Sequence, residues 1–153
     1  MTGGKHMSES QKTHTGSCLC GAVQYKVSGA PMLAGHCHCI DCRKSAGTGH
    51  VTLAMFGVDQ FEIEGPLTTY SRPADSGAAV TRSFCPTCGS RLFDETASLP
   101  GVKAVMLGTL DNPEAVQPQF HVYFKNHLSW DAVDPALTTF DEMPPDDDGI
   151  RQT

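Results

Sequence analysis

The sequence predicts an all-β domain with a few short helical turns, and three observations support this. Apolar and polar residues alternate over several segments, as in strands that bury one face. The 15 glycines and 10 prolines among 153 residues imply many turns. Seven cysteines stand in three closely spaced groups, a pattern typical of metal-binding loops. We therefore expect short strands whose connecting loops carry the chemistry.

Alternating segments predict half-buried strands over residues 23–27, 61–64, 80–84 and 120–124. In the third of these, Val80, Arg82 and Phe84 share one face of the strand. Residues 50–56 and 102–110 are more continuously apolar, as expected of strands buried on both faces.

Helix is expected only as single turns. One such turn is predicted over residues 41–48, and another over residues 111–114, where the acidic cap Asp111 is followed by Asn112, an early proline and Glu114.

One folded domain is expected, over residues 16–140. The segment before it, residues 1–15, and the acidic, proline-rich segment after it, residues 141–153, are both predicted to be disordered tails. No apolar run approaches the roughly 18 residues that span a bilayer, and the first residues lack the apolar segment of an export signal. We therefore predict a cytoplasmic protein without a membrane partner.

The charge of the chain argues against a nucleic-acid partner. Lys and Arg number 11 against 17 Asp and Glu, which gives a formal net charge of −6. Affinity for a phosphate backbone comes from clustered cations, and no such cluster is present in the sequence. A small-molecule substrate is the better expectation.

The cysteines fall into three groups, which are Cys18 with Cys20, then Cys37, Cys39 and Cys42, then Cys85 with Cys88. An odd number of cysteines without an export signal argues against a disulfide framework and for metal-bound or catalytic thiols. The first and last pairs can supply the four ligands of one structural zinc ion. The middle group supplies three thiolates, which leave a fourth position on a second zinc for water or substrate. Seven cysteines therefore suggest one closed site and one open site.

Spacing alone leaves alternatives open at the second site. A histidine such as His36, His38 or His50 could complete it, and both zinc ions would then be structural. The protein would in that case be a non-catalytic zinc-binding module for a protein partner. Arg43 and Lys44, which follow Cys42 directly, either hold a substrate carboxylate or are solvated surface cations.

Five sequence segments carry a family resemblance, namely GSCLCGAVQYKVSG, GHCHCIDCRKSAGTGH, RSFCPTCGSRLF, GTLDNP and a late HVYF with Trp130. Together they resemble the glutathione-dependent formaldehyde-activating enzyme (GFA) family, which includes centromere protein V-like members. The resemblance runs from about residue 16 to residue 130 and includes all seven cysteines.

The resemblance implies a β-tent fold around two zinc ions. The cysteines that match the ligands of the structural zinc are Cys18, Cys20, Cys85 and Cys88, and those that match the ligands of the catalytic zinc are Cys37, Cys39 and Cys42. The implied activity is that of a carbon–sulfur lyase, which joins glutathione and formaldehyde into S-hydroxymethylglutathione or reverses that reaction. Zinc would favour the thiolate of glutathione at neutral pH, which is the nucleophilic form.

Five histidines, including the three candidate ligands above, have no spacing that marks a general base. We expect them to pack in the core or to support metal ligands, and the same core position is expected for Phe124 and Trp130. The histidines concerned are His36, His38, His50, His121 and His127.

Overall fold

A computed structural model describes residues 12–144, which form two β-sheets. The strands are β1 (Thr13–Ser17), β2 (Gln24–Ser28), β3 (Leu33–Cys37), β4 (Val51–Gly57), β5 (Phe61–Glu64), β6 (Thr68–Pro73), β7 (Ala79–Phe84), β8 (Arg91–Thr96), β9 (Val102–Met106), β10 (Phe120–Val122) and β11 (Thr138–Thr139). One α-helix, α1 (Ile40–Ala46), and four 3-10 turns at Val58–Gln60, Leu107–Thr109, Pro113–Ala115 and Phe124–Asn126 complete the part of the chain that the structure describes.

The smaller sheet has the strand order β1-β2-β5, and the larger one has the order β11-β10-β3-β4-β9-β8-β7-β6. Neighbouring strands are antiparallel, except that β10 runs parallel to both β3 and β11. The pairing of β10 with β3 matters for function, because it brings residues near position 121 beside the cysteine-rich segment that follows β3.

The main hydrophobic core includes the inner face of the small sheet and residues of the large one. On β2, Tyr25 and Val27 are buried while the residues between and beside them are exposed, as the alternation in the sequence predicts. They join a cluster that includes Phe56 of β4 and Val105 of β9, both fully buried. Full burial of an aliphatic or aromatic side chain contributes about 1.5–3 kcal/mol, so this cluster holds the two sheets together.

Helix α1 confirms the single helical turn predicted near residues 41–48. Cys39 is its N-cap, with φ −62° and ψ 155°, and Gly47 ends it in the left-handed region at φ 72°. Asp41 lies in the first turn and Arg43 in the last, which is the arrangement that the helix dipole favours.

Two predicted strands are shorter than their apolar runs. The segment 102–110 leaves the strand conformation after Met106 and continues as a 3-10 turn that buries Leu107. The segment 120–124 ends its strand at Val122, because Tyr123 adopts a left-handed backbone at φ 54°. In both segments the run of apolar residues extends beyond the last residue of the strand, so it overestimates the length of the strand.

The folded part extends beyond the predicted bounds 16–140 at both ends. Residues 13–15 belong to β1 and pair with β2, so the predicted tail 1–15 was too long. At the other end the Glu142 carbonyl accepts a hydrogen bond from the Tyr123 amide, and Pro144 is buried, so the predicted tail 141–153 began too early. The remaining residues of both tails lie outside the described residues.

The search for membrane-spanning segments gave none among residues 12–144. Helix α1 has seven residues, well below the length that a bilayer crossing requires.

Candidate metal centres and active site

The four-cysteine cluster is formed by two turns that are distant in the sequence. Cys18 and Cys20 follow β1, and Cys85 and Cys88 lie in the turn between β7 and β8, with the four sulfur atoms within 4.8 Å of one another. The sulfur of Cys20 is 3.6 Å from that of Cys18 and 3.8 Å from that of Cys85. A tetrahedral zinc ion with Zn–S bonds of about 2.3 Å places its sulfur ligands about 3.8 Å apart. The cluster therefore fits a zinc ion.

Backbone amides point at the sulfur atoms of this cluster. The Val23 amide donates to the Cys18 sulfur at 3.3 Å, and the Thr87 and Cys88 amides donate to the Cys85 sulfur at 3.4 and 3.5 Å. Gly89 allows this tight turn because it adopts φ 78°. These donors stabilise thiolate charge, which suits a closed structural site.

The hydroxyl of Ser90 links the two turns of the four-cysteine cluster. It accepts a hydrogen bond from the Leu19 amide at 2.9 Å and lies 3.3 Å from the Cys88 sulfur. Hydrogen bonds from the side chain and backbone of Ser90 lower the pKa of the Cys88 thiol to about 5. Cys88 is therefore prepared to bind a metal as the thiolate at neutral pH.

The three-cysteine cluster is local in sequence. Cys37 ends β3, Cys39 caps helix α1 and Cys42 lies in the first turn of that helix, with all three sulfur atoms within 4.8 Å of one another. The Cys42 amide donates to the Cys39 sulfur at 3.2 Å, as an N-cap requires. The helix start thus places the three thiols around one point.

Charge in the three-cysteine cluster is shared unequally. Hydrogen bonds from the Cys37 and Cys42 thiols lower the pKa of Cys39 to about 2, and the corresponding bond to Cys39 raises the pKa of Cys37. Negative charge on the Cys39 sulfur therefore opposes ionisation of the other two thiols and raises their pKa. A divalent cation supplies the positive charge that allows all three to ionise, so the donor set fits a metal of zinc type.

Two arginines on neighbouring strands lie close to the three-cysteine cluster. Arg91 of β8 forms an ion pair with Asp94 and donates to the Ser45 hydroxyl, and its charge favours the thiolate of Cys42. Arg82 of β7 is only 7% exposed, and its charge favours the thiolate of Cys39.

The guanidinium of Arg82 is incompletely paired. Its Nη2 atom lies 4.0 Å from a carboxylate oxygen of Asp41, and its Nε and Nη1 atoms have no hydrogen-bond partner within residues 12–144. No motif in the sequence marks Arg82 as functional. The sequence did place it on the same strand face as the apolar residues Val80 and Phe84. An arginine is seldom buried on such a face unless its charge is paired, and this could have marked it.

The predicted substrate-binding cations Arg43 and Lys44 lie in the last turn of helix α1. Arg43 is half-buried and Lys44 is exposed. Their contact with a substrate stays a prediction.

An apolar cavity of about 130 Å³ lies beside the three-cysteine cluster, and Cys37 forms part of its wall. Leu33, Gly35 and Cys37 share this face of β3 because side chains alternate along a strand. A Cβ atom at Gly35 would lie 2.5 Å from the ring of Phe120, so only glycine lets that ring pack on the backbone. The other large side chains that line the cavity include Met32, Leu53, Met55, Val122 and Met143.

A histidine cluster lies where the end of β3 meets β10, and it consists of His36, His38, His50, His121 and His127. The ring centroids of His36 and His121 are 4.6 Å apart, and the His38 Nε2 atom lies 2.9 Å from the His121 Nδ1 atom. These histidines therefore pack against one another, and their support of metal ligands stays a prediction. No histidine joins the three cysteines in a common group of potential ligands within the described chain, whereas His38 and His50 form such a group with Asp131.

Burial keeps several of these imidazoles neutral. Desolvation, reinforced by neighbouring histidines, lowers the pKa of His36 and of His38 to about 4 and also lowers the pKa of His121. Neutral imidazole is the form that accepts hydrogen bonds and binds metals.

The expectation that Trp130 lies in the core was wrong. Its side chain is 67% exposed, because it follows the turn that leaves β10 and does not belong to a strand. Phe124 is half-buried and stacks on the ring of His127 at 4.6 Å, so it covers the histidine cluster.

Comparison with known proteins decides the family. The sequence pattern of the glutathione-dependent formaldehyde-activating enzymes matches residues 13–126. The chain belongs to this family. Its members are zinc-dependent enzymes with carbon–sulfur lyase activity that act on glutathione and formaldehyde, so the predicted family and enzyme class are confirmed. The cysteine clusters of the chain are compatible with that use of zinc.

Two individual proteins support this placement. A protein of Halomonas elongata, provisionally named glutathione-dependent formaldehyde-activating enzyme, is 29% identical over 121 residues, which cover 75% of this chain and 77% of that protein. A crystal structure of a Rhodobacter sphaeroides protein matches with a TM-score of 0.53 and 24% identity, covering 68% of this chain and 91% of the other. The second likeness concerns the fold alone and agrees with the predicted all-β class.

Proposed function

We propose that the protein interconverts glutathione plus formaldehyde with S-hydroxymethylglutathione at the three-cysteine cluster. The observation that carries this proposal is the grouping of Cys37, Cys39 and Cys42 without a fourth protein ligand from the described chain. A metal site with three protein ligands keeps a position for a substrate thiol. The same observation disfavours the non-catalytic module, which needs a closed second site.

We further propose that the chain binds two zinc ions. The four-cysteine cluster holds the structural ion, and the three-cysteine cluster holds the catalytic one. When bound at the second cluster, zinc supplies a Lewis-acidic position that favours the thiolate of a substrate at neutral pH.

The proposed reaction is balanced without any further reagent. The glutathione sulfur forms a bond to the formaldehyde carbon, the π electrons of the carbonyl move to oxygen, and the proton released from the thiol ends on that oxygen. The reverse direction breaks the carbon–sulfur bond and returns the proton to sulfur. The reaction thus requires a positioned thiolate and a route for one proton, but no redox cofactor.

Arg82 is the residue that we assign to the anionic part of the thiol substrate. It lies near Cys39, it is buried, and two of its nitrogen atoms lack partners among the described residues. A guanidinium with free N–H groups matches a carboxylate in geometry and charge. Glutathione carries two carboxylates, so Arg82 would orient it with its sulfur toward the cysteines.

The test is the rate of interconversion at equilibrium, followed by exchange spectroscopy on mixtures of glutathione and formaldehyde. The protein should accelerate exchange above the uncatalysed rate, and Cys39→Ser should abolish the acceleration. Arg82→Gln should raise KM for glutathione about tenfold or more, the loss expected for a charge-assisted hydrogen bond of 1.5–3 kcal/mol, and leave KM for an uncharged thiol such as 2-mercaptoethanol unchanged. An exchange rate equal to that of the enzyme-free control would reject the proposal.

The apolar cavity favours a second candidate substrate within the same chemistry. Its walls are almost entirely aliphatic and aromatic, and it adjoins Cys37, so it would accept the chain of an aldehyde larger than formaldehyde. Comparing formaldehyde with hexanal as the electrophile tests this. Met55→Trp, which reduces the cavity, should slow the reaction of hexanal and leave that of formaldehyde intact.

The cytoplasmic location also belongs to this proposal. The seven cysteines of the described chain are present as free thiols, and a reducing compartment preserves thiols for metal binding.

A further inference from the structure

The histidine cluster contains a group of ligand atoms separate from both cysteine clusters. One ring nitrogen each of His38 and His50 and a carboxylate oxygen of Asp131 lie within 4.8 Å of one another. The Asp131 Oδ2 atom is 2.6 Å from His50 Nδ1 and 3.6 Å from His38 Nδ1. Ligands about 2.1 Å from a common metal ion lie about 3.0 to 3.4 Å apart, so each of these two distances differs from that range by only a few tenths of an ångström.

His38 provides an independent sign that a ligand belongs here. Its side chain is fully buried, and its Nδ1 atom has no hydrogen-bond partner within residues 12–144. Its other ring nitrogen is hydrogen-bonded to His121 at 2.9 Å, which fixes the ring with Nδ1 toward the Asp131 carboxylate. Metal-binding histidines usually hold the second ring nitrogen in this way. Buried polar atoms are rarely left without a partner, so the orientation calls for an explanation.

The position of Asp131 is also determined by its surroundings. A Cβ atom at Gly49 would overlap the Asp131 carboxylate, so glycine at this position allows the carboxylate to reach His50. The carbonyl oxygen of Asp131 pairs with the His127 Nε2 atom at 2.7 Å, and its amide donates to the Leu128 carbonyl at 3.0 Å. The carboxylate is therefore held in place by its own loop.

We propose that His38, His50 and Asp131 form a third metal site, which takes a first-row divalent cation such as Zn²⁺ or Co²⁺. Two imidazole nitrogens and one carboxylate oxygen are ligands of intermediate hardness, which such cations prefer to Mg²⁺ or Ca²⁺. The His50 side chain is 20% exposed, whereas the His38 side chain is fully buried, so the open positions of the ion face the His50 side.

This site is distinct from the three-cysteine cluster although His38 lies between two of its cysteines in sequence. Within the described residues, His38, His50 and Asp131 form a group of potential ligands that contains none of the three cysteines. The third site therefore does not depend on the proposed lyase reaction, and its ligands contain no sulfur. That difference in donor atoms provides the spectroscopic test.

The experiment adds Co²⁺ to the full-length protein whose cysteine clusters already contain zinc. After removal of free metal, elemental analysis should find one cobalt ion per chain in addition to the zinc. Its visible spectrum should show ligand-field bands without the near-ultraviolet sulfur-to-cobalt charge transfer that thiolate ligands produce. Absence of retained cobalt, or cobalt that shows only the thiolate signature, would overturn the proposal.

Three variants assign the binding to the triad. Asp131→Asn should weaken cobalt binding at least tenfold and leave the zinc content unchanged. Asp134→Asn is the matched control, because Asp134 is exposed in the same loop and should leave cobalt binding unchanged. His50→Gln alters a partly exposed side chain and provides the same test if Asp131→Asn does not fold. Unchanged affinity in a folded Asp131→Asn or His50→Gln protein would reject the triad.

Discussion

The four-cysteine and three-cysteine clusters use the same ligand atom in opposite ways. In the first, the sulfurs of Cys20 and Cys85 come together from positions 65 residues apart, and the cluster joins the turn after β1 to the turn between β7 and β8. In the second, Cys37 and Cys42 belong to one continuous segment that already has a helix start to shape it. A metal in the first cluster therefore restrains the whole fold, while a metal in the second restrains a segment that folds locally.

The surroundings of the two clusters also suit a structural role for the first and a ligand-binding role for the second. Backbone amides surround the first, and they cannot move or exchange with a substrate. The second adjoins a cavity and a buried, incompletely paired Arg82. The four-cysteine cluster, although Cys20 is exposed, is held by backbone donors, and the three-cysteine cluster adjoins a cavity and a charge that a ligand can use.

The largest expected effect separates the two clusters by stability. Cys85→Ser should lower the free energy of unfolding by several kcal/mol, because structural zinc contributes roughly 10 kcal/mol in small domains. Cys39→Ser should lower it by about 1 kcal/mol at most, because serine keeps the N-cap of helix α1 and the metal lost here restrains only a local segment. Thermal and denaturant unfolding of both variants measure the difference. Equal and severe destabilisation would show that both metals are structural and would restore the non-catalytic module.

The next effect concerns the order of metal loss. The purified protein should contain two zinc ions per chain, and a weak chelator should remove the ion at Cys37, Cys39 and Cys42 first, because an open site with three protein ligands binds more weakly. Activity should then disappear while the far-ultraviolet circular dichroism spectrum is retained. Elemental analysis after each chelator step measures this order. Simultaneous loss of both ions with unfolding would contradict it.

A smaller effect is expected from filling the space beside the three-cysteine cluster. Gly35→Ala places a methyl group against the Phe120 ring, and overpacking of this kind costs about 1–3 kcal/mol. The ring should move toward the cavity, so binding of an apolar aldehyde should weaken while the zinc content of the four-cysteine cluster stays constant. Unchanged aldehyde binding would separate the cavity from the substrate site.

The comparison also shows which features a sequence can reveal. The three cysteine groups were predictable because C-x-C, C-x-C-x-x-C and C-x-x-C spacings reflect local turns. Residues 23–27 were predictable because β2 buries one face. Strand β3 was missed, since Leu33 and Ala34 face covered surfaces on both sides and no alternation results.

The histidine cluster could not be predicted for a different reason. His36 and His121 meet only because β10 runs parallel beside β3, a pairing between segments that no local pattern announces. The role of Arg82 depends in the same way on the tertiary structure, which brings β7 near the start of helix α1. The cysteine motifs could thus be predicted from the sequence, whereas clusters formed by residues of distant strands could be identified only from the structure.

The smallest effects are expected from replacing one glycine in the turn beside each cluster. Gly89 follows Cys88 at φ 78° and Gly47 ends helix α1 at φ 72°, and a Cβ atom at either would have no neighbour within 4 Å. Alanine should therefore cost each protein a similar 1–2 kcal/mol of backbone strain, with no steric contribution. Because the strain is matched, any difference in function reports the cluster that each turn supports.

Gly89→Ala should reduce zinc retention at the four-cysteine cluster during heating and leave KM for glutathione unchanged. Gly47→Ala should leave that zinc in place and reduce the exchange rate of glutathione and formaldehyde, because the distorted helix carries Cys39 and Cys42. Elemental analysis after heating and exchange kinetics on both variants measure this, and the opposite pattern would mean that the two clusters have exchanged roles.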